Sequence, residues 1–176
     1  MNFSQKERTL LEDQKNHEKI CIQKYSNYAS LAQDPQLKTI FQQNGQTEQE
    51  HYNTLDQLLK GQMPQMQQSG SQGSSSQQGS QQQSGSQQMQ MKAQQMSQSS
   101  NFMPKGQSQN YNNSDKDLCT DMLMTEKYVS GAYNTAIFEF RDPQVRNILN
   151  HIQKEEQQHG ESIFKYMENN GMYQVK

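Results

Sequence analysis

Read in alternating steps of three and four residues, the chain carries four tracks of the kind a helix turns toward a core. The first is Leu11, Gln14, Glu18, Cys21, Tyr25, Tyr28, Ala32, and the second Leu37, Phe41, Asn44, Glu48, His51, Leu55, Leu58. The third is Cys119, Met122, Glu126, Val129, Tyr133, Ala136, Phe140, and the fourth Val145, Leu149, Ile152, Glu156, His159, Ile163, Tyr166. Asp34-Pro35 and Asp142-Pro143 separate the members of each pair. Asp suits an N-cap and Pro the first helical turn, so each dipeptide predicts a break followed by a new helix. Ser114 or Asp115 is placed to cap the third helix, while Gly61 and Gly171 suit the positions just past the second and fourth. The prediction is a helical hairpin over residues 4–60 and another over residues 114–170.

The two hairpins are copies. At a constant offset of 108 residues, Leu10, Asp13, Glu18, Lys19, Tyr25, Asp34, Pro35, Gln36, Ile40, Glu48, Gln49 and His51 all recur, from Leu118 to His159. Each hairpin alone would bury a marginal core, so the two are expected to pack on each other or on another chain.

Composition changes the picture only between them. Residues 62–100 hold 27 Gln or Ser among 39, with Lys92 the sole charge, and such a tract cannot bury enough apolar surface to order itself. Residues 61–113 therefore read as a disordered linker. Met63, Met66, Met89, Met91, Met96 and Met103 dot it without helical spacing, as weakly adhesive or oxidisable points. A linker of this length can return along a bundle, since about 53 flexible residues reach roughly 40 Å and a helix of about 26 residues spans roughly 39 Å. The alternative is a homo-oligomer in which hairpins swap between chains.

The net charge of −2 offers no basic face for nucleic acid. No apolar run reaches membrane-spanning length, and no secretory signal opens the sequence. Cys21 and Cys119 are too few for a disulfide framework and read as small buried hydrophobes.

In every track a Glu interrupts the apolar face, and in the second and fourth a His follows three residues on. Glu18 lies 16 residues before Asp34 and Glu48 lies 14 after it, so the two meet at one height in an antiparallel hairpin. Glu126 and Glu156 stand identically about Asp142. Two packed hairpins would thus place Glu18, Glu48, His51, Glu126, Glu156 and His159 in one core layer. Unpaired, that layer is costly. Four carboxylates balance two divalent cations, and oxygen and nitrogen donors suit Fe or Mn. The competing reading is a relic layer satisfied by Glu–His and Glu–Tyr hydrogen bonds. Tyr25 and Tyr133 are placed to orient the ligands. His17 and His151 lie off the tracks and read as surface residues, and Tyr28 and Tyr166 as core.

One Glu from each of two helices, with Glu-x-x-His from each of the other two, resembles the dinuclear sites of the ferritin-like superfamily. That resemblance implies an all-α, ferritin-like four-helix bundle with a long B–C crossover. It also implies Glu48 and Glu156 as bridging ligands, Glu18 and Glu126 as terminal ones, and one His per metal. The C-terminal half further resembles spore coat protein F domains. The residues that carry this are Asp121-Met122-Leu123, Glu126-Lys127, Tyr133, Asp142-Pro143, Arg146, Glu155-Glu156, His159, and the ending Phe164-Lys165-Tyr166-Met167 through Gly171-Met172-Tyr173. The family implies a place in the spore coat after synthesis in the mother cell, with other coat proteins or copies of itself as partners. Lys92 and Lys105 make the linker a candidate cross-linking segment.

Two functions follow as expectations. One is a structural coat protein that keeps a dinuclear site. The other is a di-iron or di-manganese oxidoreductase acting on peroxide or oxygen, like manganese catalases or rubrerythrins. No Cys-x-x-Cys pair is present to carry electrons, which weakens the rubrerythrin-like form more than the catalase-like one.

Overall fold

The computed structural model describes residues 1–64 and 114–173. These contain four helices, α1 (Gln5–Leu31), α2 (Pro35–Leu59), α3 (Asp115–Glu139) and α4 (Pro143–Asn169), and no strand. The helices form an all-α four-helix bundle. The linker expected over 61–113 lies outside the described residues except for its first four.

Local chemistry sets the ends. Ser4 and Glu7 make a reciprocal capping box: Glu7 N donates to Ser4 Oγ at 3.2 Å, and Ser4 N to Glu7 Oε2 at 2.8 Å. Asp34 accepts from Gln36 N, and Asp142 from Gln144 N, each at 2.8 Å, with Pro35 and Pro143 opening the helices. Of the two candidates for the third cap, Ser114 fills the position. Gly61 (φ 77°) and Gly171 (φ 67°) take the left-handed conformation after α2 and α4. Gln62 N then donates to Gln57 O at 2.9 Å and Met172 N to Met167 O at 2.8 Å, closing each helix with a Schellman turn.

The predicted tracks are the buried faces. All seven residues named for α2, all seven for α3 and all seven for α4 are buried. In α1 Ala29 is buried, while Tyr28 is only half-buried and turns its hydroxyl to Asp121 Oδ2 at 2.6 Å. Full burial of Leu11, Leu37, Phe41, Leu55, Leu149 and Ile163 stabilises the bundle by about 1.5–3 kcal/mol per side chain. Both cysteines are free and buried. Gly45 allows the close approach of α1 to α2, because a Cβ there would lie 3.0 Å from Tyr25 Cβ.

Cross-contacts fix the helix directions. Lys6 pairs with Glu139 and Lys24 with Asp121, so α1 and α3 are antiparallel. Asn44 meets Ser162 and His51 meets Glu155, so α2 and α4 are antiparallel. Going round the bundle, the order is α1, α2, α4, α3. Helices α2 and α3 are therefore parallel diagonal partners, and the chain between them must regain the opposite end of the bundle.

The repeat also appears as two matching locks. The Glu7 carboxylate accepts Arg141 N at 3.0 Å and the Arg141 guanidinium at 3.2 Å. Asp115, one repeat later, accepts Gln33 N at 2.8 Å and Asp34 N at 2.9 Å. The first turn of each hairpin thus holds the interhelical turn of the other.

Candidate metal centre

The four helices bring Glu18, Glu48, His51, Glu126, Glu156 and His159 together, all of them buried. Atoms able to ligate a metal on Glu18, Glu48, His51 and Glu156 lie within 4.8 Å of one another, as do those of Glu48, Glu126, Glu156 and His159. The two groups share Glu48 and Glu156. Each also holds one Glu from α1 or α3 and one His.

Glu48 spans the layer. Its Oε2 is 3.3 Å from His51 Nδ1 and its Oε1 is 3.1 Å from His159 Nδ1. The imidazoles stack with ring centres 5.8 Å apart. Glu18 Oε2 faces His51 Nδ1 at 3.6 Å, and Glu126 Oε2 faces His159 Nδ1 at 3.8 Å. Glu156 Oε1 lies 2.9 Å from His51 Nδ1, but out of line for a hydrogen bond.

Tyr25 and Tyr133 touch the layer directly. Each donates to the Glu of the opposite hairpin, Tyr25 to Glu126 Oε1 and Tyr133 to Glu18 Oε1. Burial, together with those carboxylates, pushes both phenols well above their ordinary pKa, which keeps them donors. Asn44 Nδ2 donates to Tyr25 Oη at 3.1 Å. Its counterpart one repeat later is Ile152, so Tyr133 lacks this bond.

The side chain most relevant to the layer that sequence reading missed is Glu155. Its Oε2 lies 2.9 Å from His51 Nε2 and 3.5 Å from the half-buried His151 Nε2. A carboxylate on the far nitrogen orients an imidazole and fixes which nitrogen faces the layer. Glu155 lies off the interior track, and its doublet with Glu156 was the only hint of a role. One repeat earlier stands Thr47, whose hydroxyl bonds back to Gln43 O at 3.4 Å. His17 is half-buried against Tyr128, and neither His17 nor His151 belongs to either ligand group.

Burial raises Glu18 to about 8, with Glu48 beside it adding to the shift. Burial also drives Glu156 well above the usual carboxyl range, against the pull of His51 and with the repulsion of the neighbouring carboxylates. Burial acts against ionised Glu48 too, but Glu18 and the two imidazoles beside it hold it well below its ordinary value. Both imidazoles would be driven neutral by burial alone. Glu155, Glu156, Glu18 and Glu48 instead lift His51 well above its ordinary value, and Glu126 and Glu48 lift His159 to about 9. Protons thus do much of the charge balancing, though not all of the bonding. Glu18 Oε2, Glu126 Oε2 and both oxygens of Glu156 are buried without a hydrogen-bond partner. Orphaned carboxylate oxygens beside imidazole Nδ1 atoms are a donor set that fits hard or borderline divalent cations.

No helix among the described residues is long and apolar enough to cross a membrane. Burial raises the Cys119 thiol to about 12 and the Cys21 thiol higher still, which makes both poor thiolates.

Compared with known proteins, residues 114–176 match the family model of the Coat F domain. No curated protein and no solved structure matches the chain. The matched segment is α3, α4 and the turn after them, which supply Glu126, Glu156 and His159. The second hairpin, residues 114–176, is thus a Coat F domain.

Proposed function

We propose that this chain is a spore coat component whose bundle keeps a ferritin-like centre for two divalent cations, Fe or Mn. One observation carries the reading: two overlapping ligand groups share Glu48 and Glu156 while four buried carboxylate oxygens have no partner. A purely hydrogen-bonded relic would have evolved toward satisfying those oxygens or replacing them with apolar groups, because each costs about 1–3 kcal/mol unmade. Glu48 and Glu156 would bridge, Glu18 and Glu126 would bind terminally, and His51 and His159 would each serve one ion. When bound, such a pair polarises oxygen ligands and, as Fe or Mn, can exchange electrons. Tyr25 and Tyr133 hold Glu126 and Glu18 in place, and Glu155 holds His51. As a coat component, the protein would associate with other coat proteins or with itself.

The oxidoreductase reading, toward peroxide or oxygen, is favoured by the groove between α3 and α4, whose lining includes the buried Glu126 and Glu156. Titrating Mn(II) or Fe(II) into chelator-treated protein tests the centre. Wild type should hold two ions, and the Glu126→Ala, Glu156→Ala double variant none while staying folded. Equal, negligible binding by both would leave a scaffold with a relic layer. If metal binds but added peroxide persists, the centre is structural and the enzymatic reading alone falls.

A further inference from the structure

Helix α3 carries a second stripe on the side away from the core. Met124, Gly131 and Phe138 stand seven residues apart on one line, with Tyr128 and Thr135 beside them, and all five are exposed. Phe138 is 83% exposed, Tyr128 67% and Met124 66%, the three highest values for large hydrophobic side chains among the described residues. Single apolar side chains on a surface are ordinary, but a contiguous row of them on one helix marks a contact surface. The same positions of α1, one repeat earlier, are Asn16, Ile20, Gln23, Asn27 and Ser30, also exposed. The stripe is therefore not a by-product of the bundle, because the duplicate helix does without it. Gly131 points the same way. Glycine weakens an exposed helix interior, and its own bundle does not require one here, since a Cβ at 131 would meet no atom within 4 Å. A second helix crossing at this point would require it.

The pattern also states which helix. A seven-residue apolar spacing is what another α-helix packs against. The stripe is symmetric about Gly131, with Met124 seven residues before it and Phe138 seven after. Two copies of α3 laid antiparallel and crossing at Gly131 would place Met124 of each against Phe138 of the other. On one rim Lys127 would lie beside the other copy's Asn134, and on the other rim Tyr128 beside its Thr135. Lys127 is the only exposed charge between Met124 and Phe138. A parallel pair would set it against its own copy, whereas the antiparallel pair separates the two by eight residues, about 12 Å along the axis. Ile20 widens the apolar surface. It is exposed and lies on α1 between His17, which meets Tyr128, and Lys24, which meets Thr125.

We infer that the outer face of α3 is the contact surface of a homodimer, in which α3 packs antiparallel on α3 of a second copy about a two-fold axis at Gly131. Such a dimer would be the form taken by the self-association named in the proposed function, and it needs no cation at the centre.

Sedimentation velocity of the full-length chain over a concentration series should show a dimer. Met124→Asn with Phe138→Ser, which copies the α1 residues onto α3, should weaken it at least about tenfold, the scale of losing central apolar anchors, with unchanged helical content. Asn16→Ala with Ser30→Ala, the same positions on α1, should leave it intact. Gly131→Cys should be joined to its own copy by a short bismaleimide, whereas Thr120→Cys, far from the axis on the same helix, should not. Both native thiols are buried and do not compete. A monomeric wild type, a dimer as tight in the α3 double variant as in wild type, or cross-linking no stronger at 131 than at 120 would each overturn the inference. A dimer made by exchanging hairpins would give the second of these results. Counting Mn(II) on the same samples keeps the two proposals apart. A monomer that holds two ions removes this dimer and leaves the centre, and an α3-dependent dimer that holds none does the reverse.

Discussion

The two hairpins keep the same chemistry at their centres and their turns but differ in what surrounds them. Glu18, Glu48 and His51 return as Glu126, Glu156 and His159, and Tyr25 returns as Tyr133, each tyrosine reaching the other hairpin's Glu. Glu7 and Asp115 differ by one methylene and perform the same locking of a turn. Around this shared frame, Asn44 faces Tyr25 where Ile152 stands in the copy, Glu155 holds His51 where Thr47 stands, and Lys15, Tyr52 and Asp56 fill the groove that Leu123, Gly160 and Phe164 leave open. A duplicated bundle can change its flanks independently of its centre, because an interior polar layer must be satisfied jointly by both halves. The groove between two helices involves one half alone.

The largest break in that symmetry is expected from ligand deletions. Glu48→Ala removes a residue common to both ligand groups and should take bound Mn(II) from two ions to none. Glu18→Ala removes a residue of one group only and should leave one ion. Equilibrium dialysis against Mn(II) reads both counts, and equal losses would refute the shared role of Glu48.

A second effect, nearly as large, acts on the whole layer. Glu18 is raised to about 8 and His159 to about 9, with Glu156 and His51 raised as well. Groups whose folded pKa is raised lend stability below their unfolded values, near 4.3 for Glu and 6.5 for His, and lose it as pH climbs through the folded values. Metal-free protein should therefore melt at progressively lower temperature from pH 5 to pH 9. Saturating Mn(II) should reverse the trend, because its ligands must be deprotonated. A metal-free melting temperature that rises over this range would contradict the assignment.

Next in size is the unequal support of the two imidazoles. Glu155→Gln should weaken Mn(II) binding about 10- to 100-fold at the site that uses His51, whereas Thr47→Ala should leave both sites unchanged. Two-site analysis of a Mn(II) titration separates them.

The turn locks should be nearly equal and smaller. Glu7→Gln and Asp115→Asn should each destabilise the bundle by about 1 kcal/mol in urea unfolding at pH 7. Hydrogen bonds from the Arg141 backbone, opposed by burial and aided by Ser4 and the Arg141 guanidinium, hold Glu7 down to about 2. Its contribution is present above the unfolded value and lost as pH falls toward 2, so Glu7→Gln should flatten the acid side of the stability curve. The smallest effect belongs to the exposed Lys6–Glu139 pair, where Lys6→Ala should change stability by less than about 0.5 kcal/mol.

The helices, their caps and the six-residue layer were legible because each rests on a local signal: a period within a helix, a capping residue at its end, or matched heights about an Asp-Pro turn. The i+3 placement of His51 and His159 and the offset that duplicates them need no knowledge of how the hairpins meet. What was not legible depends on that meeting. Tyr25 and Tyr133 were expected beside the layer, but their crossed pairing follows from α1 and α3 running antiparallel. Glu155 sits one position off the interior track and acquires a partner only because α2 and α4 bring His51 against it. Asn44 was a polar residue on an apolar track, which signals a buried bond without naming Tyr25 or Ser162. Tyr28 was expected in the core, but its position at the edge of the α1 track lets the hydroxyl reach Asp121 instead. The open groove arises from small residues, Gly131 and Gly160, and no periodicity argument registers a missing side chain.

The central claim is that two cations share Glu48 and Glu156, and electron paramagnetic resonance of the protein loaded with two equivalents of Mn(II) tests it most directly. Shared carboxylate bridges should couple the two ions, giving a multiline spectrum that collapses to free Mn(II) in the Glu126→Ala, Glu156→Ala variant. The simple six-line signal of isolated Mn(II) in wild type, or a spectrum unchanged by that double substitution, would contradict a paired centre in this bundle.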